Sequence, residues 1–288
     1  MNKRKIKYII LFLIIVLVLL FLYSYKIEPK RLKVKEYRII NEKFTNNIHG
    51  YKIVHISDIH YGTSITKKEL DKIINKINQT KPNILIFTGD FIDRSKSLTE
   101  EMIEEIEKSF EKLNKDIILY EIKGEDDVVT DNFDLLMENL GFNSLNNKKE
   151  ELYLNQSDYI LLAGIESLKG KKDYETFLTD IDNKLSKEEN KPLLSILIMH
   201  EPDILKNINT SSYDLVLAGH THNGQVRIPL LGGLKYPKNG KEYKKEHFSI
   251  ENTEVFISNG LGTTLYKVRL GSTPSFNLYR IVSYWFSL

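Results

Sequence analysis

The sequence predicts an α/β domain of two mixed sheets packed together with helices outside, carried behind one N-terminal transmembrane helix. Three observations predict it. Short apolar runs alternate with helical patterns in the first half, apolar runs follow one another closely in the second half, and an uncharged apolar run from Tyr8 to Tyr25 precedes both. Alternation implies strands joined by helices, and closely spaced late strands imply a second sheet lying on the first. A hydrophobic content of 41% in 288 residues is enough for a sizeable core.

Lys3, Arg4, Lys5 and Lys7 make residues 1–7 a basic tail, and residues 8–25 approach the ~20 residues a helix needs to cross a bilayer. A cleavable signal would have a shorter apolar core and a small-residue cleavage site. This run ends in LYSYK, so an uncleaved anchor is expected. Tyr23 and Tyr25 stand where interfacial aromatics belong. Lys26, Lys30, Arg31, Lys33 and Lys35 follow the span, so the basic flanks nearly balance and charge gives little guidance on orientation. The short tail and signal-anchor character favour a single-pass cell-membrane protein with its globular part outside the cytoplasm. Residues 26–47 read as a tether plus an entering edge strand, and residues 48–288 as the globular domain.

In that domain KIVHIS is the first buried strand, and Thr66-Lys-Lys-Glu69 is a capping box opening a helix through Gln79. NILIFT is the second strand. Ser97-Leu-Thr-Glu100 is expected to cap the next helix, where Met102, Ile103, Ile106 and Phe110 form one apolar stripe. DIILYEIK is the third strand, ending at Gly124. Helical spacing over 132–140 precedes strands around Leu152 and over 159–165, and a further helix is expected over 174–185. LLSILIMH, DLVLAGH, QVRIPL, EVFISN and FNLYRIV complete the strands. The aromatic end, Tyr284, Trp285 and Phe286, suits a last strand packing on the domain.

Candidate chemistry lies where these strands end: Asp58 and His60 in SDIH, Asp90 in TGD, Glu125 in KGEDD, His200 in MHEP, and His220 with His222 in GHTH. Carboxylates and imidazoles without any Cys suit a two-metal hydrolytic centre better than a structural metal site. Residues i and i+2 of an extended segment point the same way, so Asp58 and His60 are expected to reach one ion together, and His220 with His222 likewise if GHTH is extended. Gly89, Gly124 and Gly219 let the chain turn sharply beside a crowded centre. Asp90, with two oxygens, is the natural bridge between ions ~3.5–4 Å apart, and a hydroxide held between such ions is a strong nucleophile towards phosphorus. His55 reads as a packed core residue, His247 as solvated and His49 as incidental.

Taken in order, these motifs resemble the calcineurin-like metallophosphoesterase superfamily, whose pattern runs D-x-H, G-D, G-N-H-[DE], H, G-H-x-H. The resemblance spans Tyr51 to Val282. The segments GHTHNGQVRIPLLGG, YPKNGKEY and SNGLGTT look most like membrane-anchored bacterial members with a GHTHGGQ motif. It implies a four-layer α/β/β/α sandwich and two divalent ions drawn from Mn, Fe or Zn. One ion would be held by Asp58, His60, Asp90 and His222, the other by Asp90, Glu125 at the Asn position, His200 and His220. The implied reaction is hydrolysis of a phosphomonoester, phosphodiester or pyrophosphate by a metal-bound hydroxide.

One segment departs from the pattern. Glu125 and Asp126 replace the family Asn and His, with Asp127 keeping the acidic position. Glu125 can still coordinate, but it makes the centre less positive than Asn would, and so less attractive to phosphate. Asp126 occupies the family's catalytic His position, where a carboxylate would repel phosphate and forgo general acid catalysis worth ~10²–10⁴-fold, least for aryl esters. Two readings follow: an attenuated hydrolase, or a catalytically silent metal-binding module. Asn223, in place of a Gly, either alters the substrate mouth or adopts the left-handed conformation that Asn tolerates. A net charge of +2 gives no general nucleic-acid surface, which disfavours a nuclease. Tethering points to a phosphate-ester substrate that is lipid-linked or part of the envelope, and the oligomeric state stays open.

Overall fold

A computed structural model describes residues 3–171, 173–187 and 189–284. Helix α1 (Lys3–Leu22) leads through a π-helical turn and a 3-10 turn to β1 (Lys33–Asn41). Then come β2 (Lys52–Ile56), α2 (Lys67–Thr80), β3 (Ile84–Phe87), α3 (Glu100–Phe110), β4 (Ile118–Glu121), α4 (Phe133–Asn139) and β5 (Phe142–Ser144). The second half holds β6 (Lys148–Tyr153), β7 (Tyr159–Gly164), α5 (Tyr174–Lys187), β8 (Leu194–Ile198) and β9 (Leu215–Ala218). A short hairpin, β10 (Arg227–Ile228) with β11 (Gly232–Gly233), precedes β12 (His247–Ile250), β13 (Thr253–Ile257) and β14 (Ser275–Ser283).

Two six-stranded sheets form, ordered β1-β14-β2-β3-β4-β5 and β12-β13-β9-β8-β7-β6. Both are mixed: β2 through β5 run parallel with β14 antiparallel to β2, while β13, β9, β8 and β7 run parallel between antiparallel β12 and β6. Strand alternation builds the layers, because neighbouring residues of a doubly buried strand serve different cores. Ile53, Ile84, Ile86, Ile196 and Ile198 pack between the sheets. Val54, Leu85 and Phe87 face the opposite way, onto Leu70, Ile73 and Ile77 of α2 and Ile106 of α3. Leu197 and Met199 meet Leu178 and Ile181 of α5. The result is a four-layer α/β/β/α sandwich.

Local signals behave as their chemistry dictates, with exceptions. Thr66 and Glu69 form the capping box of α2. The N-cap of α3 is Thr99, whose hydroxyl accepts from the Met102 amide at 3.3 Å, and the expectation of Ser97 is corrected. Ser97 heads a spacing that matches a capping box, but the helix starts later, at Glu100. QVRIPL contributes only the two residues of β10, because Pro229 and the Gly232-Gly233 pair turn the chain back. β1 lies parallel to β14 in register from Lys33↔Ser275 to Asn41↔Ser283, so this segment after α1 is an integral edge of the first sheet.

Helix α1 is long and apolar enough to cross a membrane and buries none of its residues in the protein. Its end is fastened to the domain. The Arg269 amide donates to the Ser24 carbonyl at 2.9 Å, and the buried Glu28 carboxylate accepts from the Gly271 amide and the Thr273 hydroxyl, each at 3.1 Å. Trp285 and Phe286 of the aromatic end lie outside the described residues.

Candidate metal centre

The candidate ligands collect where β2, β3, β8 and β9 end. Ser57-Asp58, Asp90, His200 and His220 each follow one of these parallel strands closely, so the topology alone delivers them to one edge of the sandwich. They gather into overlapping groups of buried side chains: Asp58, His60 and His222; Asp90, His200 and His220; and His60, Asp90 and Asp126. Ligand atoms within each group lie within 4.8 Å of one another.

Close approach of backbones makes this density attainable. A Cβ on Gly219 would overlap the Ser57 hydroxyl, and one on Gly124 would overlap the Asp90 carboxylate. Only Gly89, at φ +96°, also needs glycine's left-handed freedom. The extended geometry expected of Asp58–His60 and His220–His222 is corrected. Asp58, His60, Asp90, His220 and His222 all have positive φ, between 44° and 69°. Non-glycine residues held there carry strain of ~1–3 kcal/mol each, sustained only where the surroundings fix them. The tight turn after β9 sends His220 and His222 into different groups. Asn223 adopts the left-handed conformation, at φ 50°.

On one side of Asp90, two imidazoles are aimed by backbone carbonyls. His200 Nδ1 donates to the Thr88 carbonyl and His220 Nε2 to the Lys238 carbonyl, both at 2.7 Å. A carbonyl can only accept, so His200 Nε2 and His220 Nδ1 are left as lone-pair atoms when the rings are neutral. These two nitrogens face each other at 3.2 Å, with Asp90 Oδ2 3.3 Å from His200 Nε2. On the other side, His60 Nε2 lies 3.1 Å from His222 Nε2, which is 3.4 Å from Asp58 Oδ1. A tetrahedral ion with Zn–N bonds of about 2.0–2.1 Å would separate two ligand nitrogens by roughly 3.3–3.4 Å. Facing imidazole nitrogens at this spacing, beside buried carboxylates, fit divalent cations.

Charge in the cluster is correspondingly frustrated. Burial, with the Asp90 charge added, raises the Asp58 pKa and pushes Asp127 up to about 7. Burial also opposes ionisation of Asp90, yet the facing His200 and His60 hold it well below the usual carboxylate range. For His60, burial disfavours the charged ring, but Asp126, Asp90 and Asp58 outweigh it and push the pKa up to about 9. Carboxylates and imidazoles are borrowing protons from one another in a space that a metal cation would neutralise.

The GEDD segment is organised around Asp127 and Arg94. The Asp127 carboxylate accepts the amides of Asp90, Phe91 and Gly124 at 2.6–2.9 Å, and so ties this turn to the one after β3. Glu125 is not among the gathered ligands: its carboxylate, partly exposed, pairs with the Arg94 guanidinium. Asp126 points inward, with Oδ2 3.5 Å from His60 Nδ1 and Oδ1 2.8 Å from Arg94 Nε. A bare Asp126 repelling phosphate is therefore not what the fold presents, because Arg94 sits against both acids.

Arg94 was not legible as a site residue, since its only signal is a basic residue shortly after Asp90. Arg269 gave no signal at all. It is fully buried, its guanidinium reaches the carbonyls of Asn259, Gly260, Gly262 and Ser272, and its Nη2 lies 3.2 Å from His222 Nδ1. His55, by contrast, is a core residue bonded to the Thr88 hydroxyl at 2.8 Å. His247 is exposed and paired with Glu254, and His49 accepts the Ser283 amide. A cleft of about 430 Å³ opens over the cluster, and its lining includes the polar Arg94, Glu125 and Lys235 and the apolar Val226, Leu265 and Tyr266.

Two stacked sheets with carboxylates and imidazoles at their strand ends form the frame of a metallophosphoesterase. The chain belongs to the calcineurin-like phosphoesterase family, whose model matches residues 51–224. It is 30% identical to the Bacillus subtilis metallophosphoesterase YkuE over 89% of this chain and 88% of that protein. It is 26% identical to LpxG of Chlamydia trachomatis, a UDP-2,3-diacylglucosamine pyrophosphatase, over 88% and 90% of the two chains. A zebrafish (Danio rerio) transmembrane protein with a metallophosphoesterase domain is 27% identical over 83% of this chain and 55% of its own length. The family and the ligand groups together point to divalent metal ions and a phosphoester substrate.

Proposed function

We propose that this protein is a membrane-tethered, two-metal phosphoesterase that hydrolyses a lipid-linked phosphodiester or pyrophosphate outside the cytoplasm. The observation that carries the reading is Asp90, buried between the His200–His220 pair and the His60–His222 pair. In this reading Asp90, His200 and His220 hold one ion, and Asp58, His60, His222 and Asp90 hold the other. Asp126 stands close enough to His60 and Asp90 to join the second set. Bound divalent ions supply charge neutralisation at the phosphoryl group and lower the pKa of water at the site.

The protein's own groups do the rest. The Thr88 and Lys238 carbonyls fix which nitrogen of each imidazole faces inward. Arg94 neutralises Glu125 and Asp126 and offers guanidinium donors at the cleft, where planar recognition of a phosphate is favoured. With a carboxylate where the family carries its acid, a leaving group receives no proton from this position, so activated esters are the better substrates. A lipid-linked substrate is favoured by the apolar N-terminal helix, by the apolar residues that line the cleft, and by a relative whose name specifies a diacylated substrate.

The silent-module reading is favoured by Glu125 and Asp126, and turnover separates the two. Full-length protein in detergent, stripped of metal and reloaded with Mn²⁺, is assayed on an aryl phosphodiester. Metal-dependent hydrolysis that is abolished by Asp90→Ala supports the enzyme. A folded, Mn²⁺-loaded protein without turnover establishes the silent module instead.

A further inference from the structure

The surface around the cleft carries exposed apolar side chains that extend beyond its lining. At the tip of the β10–β11 hairpin Leu230 is fully exposed and Leu231 is 78% exposed, and Leu234, Leu265 and Tyr266 are 61–75% exposed. Isolated exposed leucines are ordinary, but a contiguous apolar rim on a soluble face marks a docking surface. Leu234 and Leu265 also line the cleft above the candidate ligands, so the rim and the site share a wall.

The rim is wired to the end of the apolar helix. Gln225, just before the hairpin, exchanges hydrogen bonds with Thr264 and Tyr266, and the Leu270 amide donates to the Gln225 carbonyl. The Arg227 amide donates to the Leu270 carbonyl at 2.7 Å. The residue next to Leu270 is Arg269, whose amide holds Ser24 at the exit of α1. Three residues of extended chain from Arg227 to Leu230 cover at most roughly 10 Å. The leucine tip is therefore at most roughly 10 Å of chain from the segment that is bonded to the end of α1. Lys26, Lys30, Arg31, Lys235 and Lys267 are exposed in the same region. Basic residues beside apolar ones, with an interfacial Tyr, match an anionic lipid surface.

We propose that Leu230, Leu231, Leu234, Leu265 and Tyr266 form a rim that dips into the lipid interface, so that the cleft opens onto the bilayer and receives phosphoesters of amphiphilic lipids from within it. This deepens the proposed function and rests on α1 spanning the membrane. The helix supplies the tether, while the rim sets the tilt of the domain.

The test exploits a chain without cysteine. Leu231→Cys and Leu265→Cys, each labelled with an environment-sensitive fluorophore, are placed in full-length protein in vesicles of phosphatidylcholine and phosphatidylglycerol containing doxyl-lipid quenchers. Lys115→Cys, exposed before β4 at the opposite end of the strands, is the reference. Labels at 231 and 265 are expected to be quenched by doxyl lipids several-fold more than the label at 115, and to be shielded from aqueous iodide. A second variant, Leu230→Glu with Leu231→Glu, costs no core packing and is expected to return the label at 265 to the reference level. Equal behaviour of all three labels overturns the proposal. Shielding from iodide without lipid quenching also overturns it, in favour of a protein covering the rim. Neither readout needs turnover, so a silent but membrane-docked protein and an active but undocked one are distinguishable.

Discussion

On one side of Asp90, His200 and His220 each commit an outer nitrogen to a backbone carbonyl at 2.7 Å. On the other, Glu125 and Asp126 are held by one half-exposed side chain, Arg94. The first arrangement is rigid, because strand ends position both rings and the Thr88 carbonyl, and the buried ring of His220 is held by the Lys238 carbonyl of the loop between β11 and β12. The Arg94–Glu125 part of the second is adjustable, because a partly exposed guanidinium–carboxylate pair contributes only ~0–1 kcal/mol and exchanges partners readily, whereas Asp126 is buried. The comparison teaches where a sequence change is tolerated. An imidazole cannot be replaced without unaiming a ligand, whereas the Asn–His pair of the family gives way to Glu–Asp once an arginine stands opposite.

Removing the shared group breaks the comparison most severely. Asp90→Ala deprives both proposed ions of a ligand and is expected to lower kcat/KM on an aryl phosphodiester by roughly 10³-fold or more, with loss of bound metal by elemental analysis. Restoring the family pair, Glu125→Asn with Asp126→His, is expected to raise turnover by about 10²-fold, the lower end of a general acid's contribution. That gain should be largest for poor leaving groups, which a series of substituted phenyl esters would show. No gain would mean that the reaction does not depend on a proton donor at this position.

Arg94→Ala sharpens the comparison from the other side. It leaves Glu125 and Asp126 uncompensated at the cleft, and about a tenfold rise in KM is expected, since a single charge-assisted contact to phosphate is lost. Arg94→Lys should recover part of it, because an ammonium keeps the charge but not the planar fork.

The smallest effect separates buried imidazoles that share Thr88. Asp90 holds His200 well above its ordinary value against the opposing effect of burial, while burial with no facing carboxylate lowers His55 to about 3. His55 is thus neutral in the folded state and protonated in the unfolded state below about pH 6.5. Its contribution to stability is complete above that value and is lost as pH falls towards 3. Urea unfolding at pH 7.5 and 5 should show the loss, a few kcal/mol at most, and His55→Asn should flatten that part of the profile.

These contrasts also mark what the sequence disclosed. The strand-end positions of Asp58, Asp90, His200 and His220 were legible because each polar residue closes an apolar run. The layered fold was legible because those runs alternate with helical spacing early and crowd together late. Arg94 was not, because it meets Glu125 across 31 residues through turns that the tertiary hydrogen bonds of Asp126 and Asp127 bring together. The positive φ of five candidate ligands was equally hidden, since none is glycine and each is held by tertiary contacts. Thr99 overrode Ser97 because spacing alone does not say where a helix begins.

The most direct test of the central claim is anomalous diffraction at the manganese edge from crystals of the full-length protein grown with Mn²⁺. Two peaks are expected flanking the Asp90 carboxylate, one beside His200 and His220 and the other beside Asp58, His60 and His222, with Glu125 still on Arg94. A single peak away from Asp90, or Glu125 swung in as a ligand with Arg94 released, would contradict the account.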